Sequence, residues 1–407
     1  MSNDSIFRSL LKQNISSSLA KIKTPCYLID EQQLVSNAKI LYSIIEHTGC
    51  KILLAQKAFS NYDFYPLLAP YLSGTEASGL YEARLGAEEM AGKEVHVFCA
   101  AYRDDEFAEL LQYADHIVFN SIGQLKKFAK VAQECGKSLG LRINPECSTQ
   151  SDHMIYDPCA RGSRLGVTRE VWNRDMTEEL FSMIEGLHFH TLCEQNSDAL
   201  ETTLKAVEER FGDVLSHMKW LNMGGGHHIT KEDYDRDRLE RLINYAQDKW
   251  KLRVCLEPGE AVALNAGYLS SRVLDIVENN GIKIAILDTS AACHMPDVIE
   301  MPYRPPLLNE EASANEGYTY RLAGPTCLAG DIIGEYRLAD KLQVGDLVIF
   351  GDMAIYTICK NNTFNGMPLP NIYKIDLNGK LSRLTDFGYS DFKMRLGSHH
   401  DSISYTN

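Results

Sequence analysis

No apolar run in the sequence approaches the roughly 20 residues of a membrane-spanning helix, which excludes a helical span. The start of the chain, MSNDSIFRSLLKQNISSSLAKIKTP, lacks the continuous apolar core of a signal peptide. Its serines are expected to mark an extension over residues 1–22. Paired cysteine motifs are missing too. The 11 cysteines form an odd, scattered set with no C-x-x-C, which argues against a disulfide framework and against a structural zinc site. A reducing cytoplasm is the expected compartment. Positive charge is in deficit: 41 Lys and Arg stand against 55 Asp and Glu, a net charge of −14. Such a surface repels nucleic acid and anionic lipid and attracts a cationic ligand. Apolar residues are not scarce. At 44%, with 24% charged, the composition is that of a globular chain and excludes a largely disordered or fibrous one.

The 407 residues exceed the roughly 250–300 at which one core stops growing, so two domains are expected. From residue 51, short β-like runs alternate with helical patterns. The runs are KILLA (51–55), GTEAS (74–78), EVHVFCA (94–100), HIVFN (116–120), SLGLRIN (138–144), GLHFHT (186–191), WLNMG (220–224) and RVCLE (253–257). Between them lie segments such as SIGQLKKFAKVAQECG, with Ser121 placed to cap a helix and Gly136 to end it. Eight βα units between residues 51 and 257 match a TIM barrel, typically about 250 residues. An open doubly wound sheet is the alternative, but the unusual residues cluster just after the strands, around the whole set. After about residue 265 helices become scarce and RVLDIVE, KIAILDT, TYRLAG, DLVIFGDM and NIYKIDL look like strands. The expected division is an α/β barrel over 32–264 and a mainly β domain over 265–407, to which residues 23–31 add a strand.

Five places could carry chemistry. Lys57 follows the first strand, where barrel active sites sit. Held against an apolar wall, its amine would be a usable nucleophile. The plain alternative is a lysine reaching to solvent. Gly224, Gly225 and Gly226, after the seventh strand, let backbone approach a ligand and could present N–H groups to a phosphate. They could equally form an ordinary turn. Glu257 ends the eighth strand, which neighbours the first in a closed barrel, so it is expected near Lys57. There it could hold a heterocyclic nitrogen protonated or form a structural ion pair. His188 and His190 alternate along a run and share a face. With His227 and His228 they keep a metal hydrolase open, but the later strand ends offer G-G-G and E-P-G rather than further ligands, and no metal is expected. Cys327 lies in GPTCLAGD, where a thiol could move protons or be one more cytosolic cysteine.

The order of these signals carries more than each alone. Together with FNSIGQL, SRLGV, FHTLCE, LNMGGGHHIT, CLEPGEAV, LDTSAACHMPDVIEMPY, TCLAGD, TFNGMPLPN and YSDFK, it resembles the alanine racemase-like (fold type III) pyridoxal phosphate (PLP) decarboxylases. Within them it resembles the carboxynorspermidine/carboxyspermidine branch most. The resemblance runs from about Thr24 to about Arg395. It implies that Lys57 anchors PLP, that His190 stacks on the cofactor ring and that Gly224 to Gly226 hold its phosphate. It implies that Glu257 pairs with the pyridine nitrogen and that Tyr356 lies near the phosphate. Cys327 would be supplied across a homodimer interface. Ornithine and arginine decarboxylases commonly read E-P-G-R, whereas position 260 here is Glu. In the polyamine branch Glu260 and Asp297 look like substrate ligands, with Cys327 also at the substrate. The implied activity is decarboxylation of carboxynorspermidine or carboxyspermidine in polyamine biosynthesis. A diaminopimelate or ornithine-type decarboxylase is the alternative.

Overall fold

A computed structural model describes residues 22–150, 157–308, 310 and 317–397. The N-terminal extension expected over 1–22 lies, apart from Ile22, outside the described residues. The chain divides into two compact units, one of residues 33–264 and one of residues 1–32 with 265–407.

The first unit is a closed parallel barrel. Strand β1 (Cys26–Asp30) belongs to the other unit, so the barrel strands are β2 (Lys51–Ala55), β3 (Gly74–Ala77), β4 (Glu94–Phe98), β5 (His116–Phe119), β6 (Ser138–Arg142), β7 (Gly186–His188), β8 (Trp220–Asn222) and β9 (Arg253–Leu256). The open-sheet alternative falls because β2 pairs with β9, Lys51 opposite Cys255 and Ile52 opposite Leu256. The strands are short, buried and rich in apolar residues, as parallel strands covered by helices must be. The covering helices form where amphipathic periodicity coincides with capping residues. Ser121 accepts from the Gln124 N–H at 3.2 Å and starts the helix Ile122–Glu134. Gly136, at φ +71°, follows its end. Asp235 caps Arg236–Trp250 in the same way, accepting from the Arg238 N–H at 2.9 Å. No helix among the described residues is long and apolar enough to cross a membrane.

Packing inside the barrel depends on one large residue and two missing side chains. The Trp220 indole lies against Gly140 and Gly186 on the two preceding strands. A β-carbon at Gly140 would stand 2.2 Å from Trp220 Cη2, and one at Gly186 2.0 Å from Cδ2. The Trp220 Nε1–H donates to Ser138 Oγ at 2.9 Å, so the ring buries its apolar body without losing its polar bond.

The second unit is an eight-stranded sheet. It contains β1, β10 (Gly267–Asn279), β11 (Ile282–Leu287), β12 (Tyr318–Ala323), β13 (Ile332–Leu338), β14 (Leu347–Gly351), β15 (Asn371–Ile375) and β16 (Leu381–Arg383). The order is β13-β12-β11-β10-β1-β15-β16, with β14 on β10. β1 is buried at all five positions, and lies antiparallel to β10 and parallel to β15. β15 turns into β16 through DLNGK: Asp376 Oδ1 accepts from the N–H groups of Asn378 and Lys380, and Gly379 sits at φ +78°. Two strands lie outside the runs legible in the sequence. β13 carries a glycine in its middle, and β16 is only three residues long, so neither has a readable alternation.

Gly186→Ala is expected to force the Trp220 ring out of place. Overpacking of this kind costs about 1–3 kcal/mol, to be read as a lowered midpoint in urea. Wild-type stability would show that the indole relaxes freely.

Candidate active site

The loops after β2, β6, β7, β8 and β9 leave the barrel at one end, the end where barrel enzymes place their chemistry. Lys57 stands two residues beyond β2, with a third of its side chain exposed. Its surroundings differ from the expected apolar wall, because Nζ lies 3.7 Å from Glu76 Oε2 on β3. Glu76 is 1% exposed, and its Oε2 has no hydrogen-bond partner. Burial pushes the Glu76 carboxyl up to about 8, and the Lys57 ammonium only partly opposes it.

Glu257, directly after β9, is buried equally well and behaves in the opposite way. Oε1 accepts from Asn222 Nδ2 at 2.6 Å and Oε2 bonds His188 Nε2 at 3.1 Å. Burial works against its charge. The bond and charge at His188, with the Lys57 ammonium, outweigh burial and hold the carboxyl at about 2. Glu257 is therefore a carboxylate at neutral pH, the form that a protonated ring nitrogen needs as partner. His188 itself is shifted down by burial and packs flat against Phe98, ring centroids 5.3 Å apart.

The β7 strand ends at His188, so His190 belongs to the loop beyond it rather than to the strand. Its carbonyl accepts from Arg142 Nη2 at 3.0 Å, and its Nδ1 accepts from the Gly225 N–H at 3.3 Å. Burial, helped by the charges of Lys57 and Arg142, drives the His190 pKa well down. Its imidazole is neutral and fixed in plane, as a stacking ring should be. The bonding of the glycine turn narrows the expected phosphate cradle. The Gly224 N–H bonds Asn222 Oδ1 at 2.9 Å and the Gly225 N–H bonds His190, so those two donors face the protein. What Gly225 supplies is space: a β-carbon there would lie 2.3 Å from the Glu257 carbonyl oxygen and 3.2 Å from His190 Cε1.

His188, His190 and Glu257 converge closely enough to hold an ion, as the metal alternative requires. Two of the atoms concerned, His188 Nε2 and Glu257 Oε2, are bonded to each other. A second cluster stands at the same end, where His228 Nε2 bonds Glu260 Oε2 at 2.9 Å and Glu194 lies beside them. Glu194 takes a left-handed backbone, φ +52°.

Three further residues belong to the β-sheet unit. Cys327 is exposed, in a loop built around the last residue of GPTCLAGD. Asp331, 2% exposed, accepts from Thr326 Oγ1 at 2.7 Å and from Ser290 Oγ at 3.0 Å, and the Cys327 N–H donates to Asn365 Oδ1 at 2.7 Å. Tyr356 adopts a left-handed backbone at φ +52°, uncommon for a bulky residue. Asp297 opens a short helix, Asp297–Glu300, and bonds the Lys360 ammonium.

Residues 26–354 match a family model described as "Pyridoxal-dependent decarboxylase, C-terminal sheet domain". The chain belongs to the pyridoxal-dependent decarboxylases. It is 44% identical over 387 residues to a carboxynorspermidine/carboxyspermidine decarboxylase of Campylobacter jejuni, covering 92% of this chain and 99% of that protein. It is 41% identical over 381 residues to a carboxyaminopropylagmatine decarboxylase of Synechocystis, covering 93% and 97%. A crystal structure of carboxynorspermidine decarboxylase from C. jejuni, complexed with norspermidine, superposes with a TM-score of 0.85 at 42% identity, over 92% of this chain and all of that one. The fold is therefore the fold type III decarboxylase fold, and the chain is a PLP-dependent carboxy-lyase.

The residues in the barrel fit that cofactor: an amine at Lys57, an ionised buried acid at Glu257, a neutral ring at His190, and a turn kept free of side chains at Gly225. Sequence reasoning did not single out Glu76, Arg142 or Asn222. A signal for the first two was present, since each is a charged residue at or next to the end of a mostly apolar barrel strand.

Glu76 also gives a pH test. Its pKa in the folded state lies above the roughly 4.3 of a free glutamate, so the native state binds more protons between about 4.5 and 8. Its contribution to stability is present at low pH and lost as pH rises through 8. Thermal melts of Glu76→Gln and the parent should therefore diverge with pH, the variant gaining relative stability from pH 5 to pH 8. A constant gap would show that Glu76 stays ionised throughout.

Proposed function

We propose that this decarboxylase acts on carboxynorspermidine and/or carboxyspermidine, releasing CO2 and leaving norspermidine or spermidine. The observation that carries the reading is Glu260. It occupies the last position of E-P-G-x with a carboxylate, bonded to His228 and beside Glu194, which suits a substrate with several ammonium groups. The net charge of −14 favours the same ligand at longer range. The name of the Campylobacter jejuni relative supports it.

PLP supplies the electron sink for the pair left behind by CO2. The chain's own residues do the rest. Lys57 Nζ would hold the cofactor, and His190 would pack on its ring. The Glu257 carboxylate would keep the ring nitrogen protonated, and the phosphate would take the side-chain-free space at Gly224 to Gly226, with Tyr356 as a further phosphate residue. A proton returns to the substrate Cα from Lys57 Nζ or Cys327 Sγ. Glu260 and Asp297 take ammonium groups. Cys327 is proposed to serve the site of a second subunit in a homodimer, which its exposure permits. The cytoplasm is the proposed compartment, in keeping with 11 free cysteines.

A second reading rests on the Synechocystis relative, which is named for carboxyaminopropylagmatine. A guanidinium end would satisfy the same carboxylates, with a forked pair of bonds in place of one.

Three measurements test these readings. CO2 release from equal concentrations of carboxyspermidine, carboxynorspermidine, carboxyaminopropylagmatine, diaminopimelate and ornithine should favour the first two. Preference for diaminopimelate or ornithine would overturn the role given to Glu260. Lys57→Ala should release no CO2 and lose the absorbance of bound cofactor, and full activity in that variant would end the lysine assignment. Asp297→Ala should raise KM for the favoured polyamine about 10-fold or more, the worth of a hydrogen bond between charged groups. An unchanged KM would remove Asp297 from the substrate site.

A further inference from the structure

The carboxylate assigned to the substrate's amine already holds a cation from its own chain. Lys360 Nζ bonds Asp297 Oδ1 and also Glu300 Oε2. The two acids stand three residues apart on the helix Asp297–Glu300, so they face the same way. They differ in depth: the Asp297 side chain is 14% exposed, and that of Glu300 is 57% exposed. Lys360, a third exposed, spans the step between them. Two carboxylates share one ammonium here. An aliphatic stem with three rotatable donors can give up one bond and keep the other.

We propose that Lys360 is a tethered cation that exchanges with the substrate's ammonium at Asp297, withdrawing onto Glu300 when the amine arrives and returning when the product leaves. This rests on Asp297 being a substrate ligand. The need for such a group follows from the reaction. Decarboxylation removes a carboxylate and leaves every distant ammonium in place, so the product presents the same amines to the site as the substrate. An acidic pair with no cation of its own would bind both tightly and hold the product. A lysine competing for Asp297 weakens both by the same factor and leaves no carboxylate uncompensated after release. Only the Asp297 bond has to break. Lys360 is thus a residue that sets affinity and not a group in the chemical step.

The test is calorimetric titration of spermidine and norspermidine into the PLP-loaded enzyme. The forms compared are the parent, Lys360→Gln, Lys360→Arg and Asp297→Asn. Lys360→Gln should bind the triamine roughly 10-fold more tightly, the lower end of the range for one charged hydrogen bond. KM for the carboxylated substrate should fall with it while kcat does not rise. Lys360→Arg, which keeps the cation, should bind near the parent value, and Asp297→Asn should bind more weakly. If Asp297→Asn weakens binding but Lys360→Gln does not tighten it, the exchange is wrong and the amine site stands. If Lys360→Gln weakens binding, the lysine holds Asp297 in place and does not compete for it. If Asp297→Asn leaves affinity unchanged, the substrate role of Asp297 and the exchange both fall.

Discussion

Glu257 is an ion held out of water at the end of β9, and the active-site half of the barrel is arranged around keeping it charged. A buried carboxylate without partners carries a penalty of several kcal/mol. Here Asn222 at the end of β8 and His188 at the end of β7 each bond one oxygen. The ladder joins β7 to β8 and β8 to β9 in register, His188 opposite Asn222 and Asn222 opposite Cys255. The pairing of β9 with β2 brings in the strand that leads to Lys57. His190 is tied to two of its neighbours, its Nδ1 accepting from the Gly225 N–H and its carbonyl from Arg142 Nη2. Disturbing one strand of this set would leave a buried charge without its donors, a larger loss than the bond itself.

Glu76 and Glu257 show how the same burial yields opposite chemistry. Both carboxyls are almost fully enclosed, both feel Lys57, and they are driven apart to about 8 and about 2. The difference lies in their neighbours. The charge of His188 and its hydrogen bond hold Glu257 down, whereas Glu76 Oε2 has no hydrogen-bond partner. Titratable groups whose surroundings separate their pKa values in this way mark places where protons are managed. One acid beside Lys57 stays permanently anionic and the other can carry a proton near neutral pH. The neutral His190 adds no further charge.

Each unit carries a partnered anionic group. The Glu260–His228 pair belongs to the barrel, and the Asp297–Lys360–Glu300 cluster to the sheet unit. Both acids assigned to substrate amines are already partnered, Glu260 by a histidine and Asp297 by a lysine. An acid with a displaceable partner binds an incoming ammonium at the cost of an exchange rather than at full Coulombic strength. Selectivity and release are then set together. Asp331 plays a different part in the sheet unit. It organises the loop that carries Cys327, and its own carboxylate is consumed by the bonds from Ser290 and Thr326.

Most of the architecture was legible in local pattern. Apolar runs located all eight barrel strands, Ser121 and Gly136 bounded their helix, and TPCYLID supplied an interior strand of the second sheet. β13 and β16 escaped because a mid-strand glycine and a three-residue length erase the alternation on which reading a strand depends. Of the proposed site, Lys57, His190, Glu257 and the glycine turn could be named from motif order, since residue types and their sequence along a fold are properties of the chain alone. What those residues do to one another could not. Asn222 reaches Glu257 across 35 residues, and His188 reaches it across 69. Glu76 lies beside Lys57 only because β3 pairs with β2. Lys360 meets Asp297 across 63 residues. Composition and periodicity determined that a barrel would form and which chemical groups it would carry. Barrel closure and strand register decided which carboxyl keeps its charge, which holds a proton, and which already has a cation. Those properties depend on desolvation and on donors brought together from distant parts of the chain.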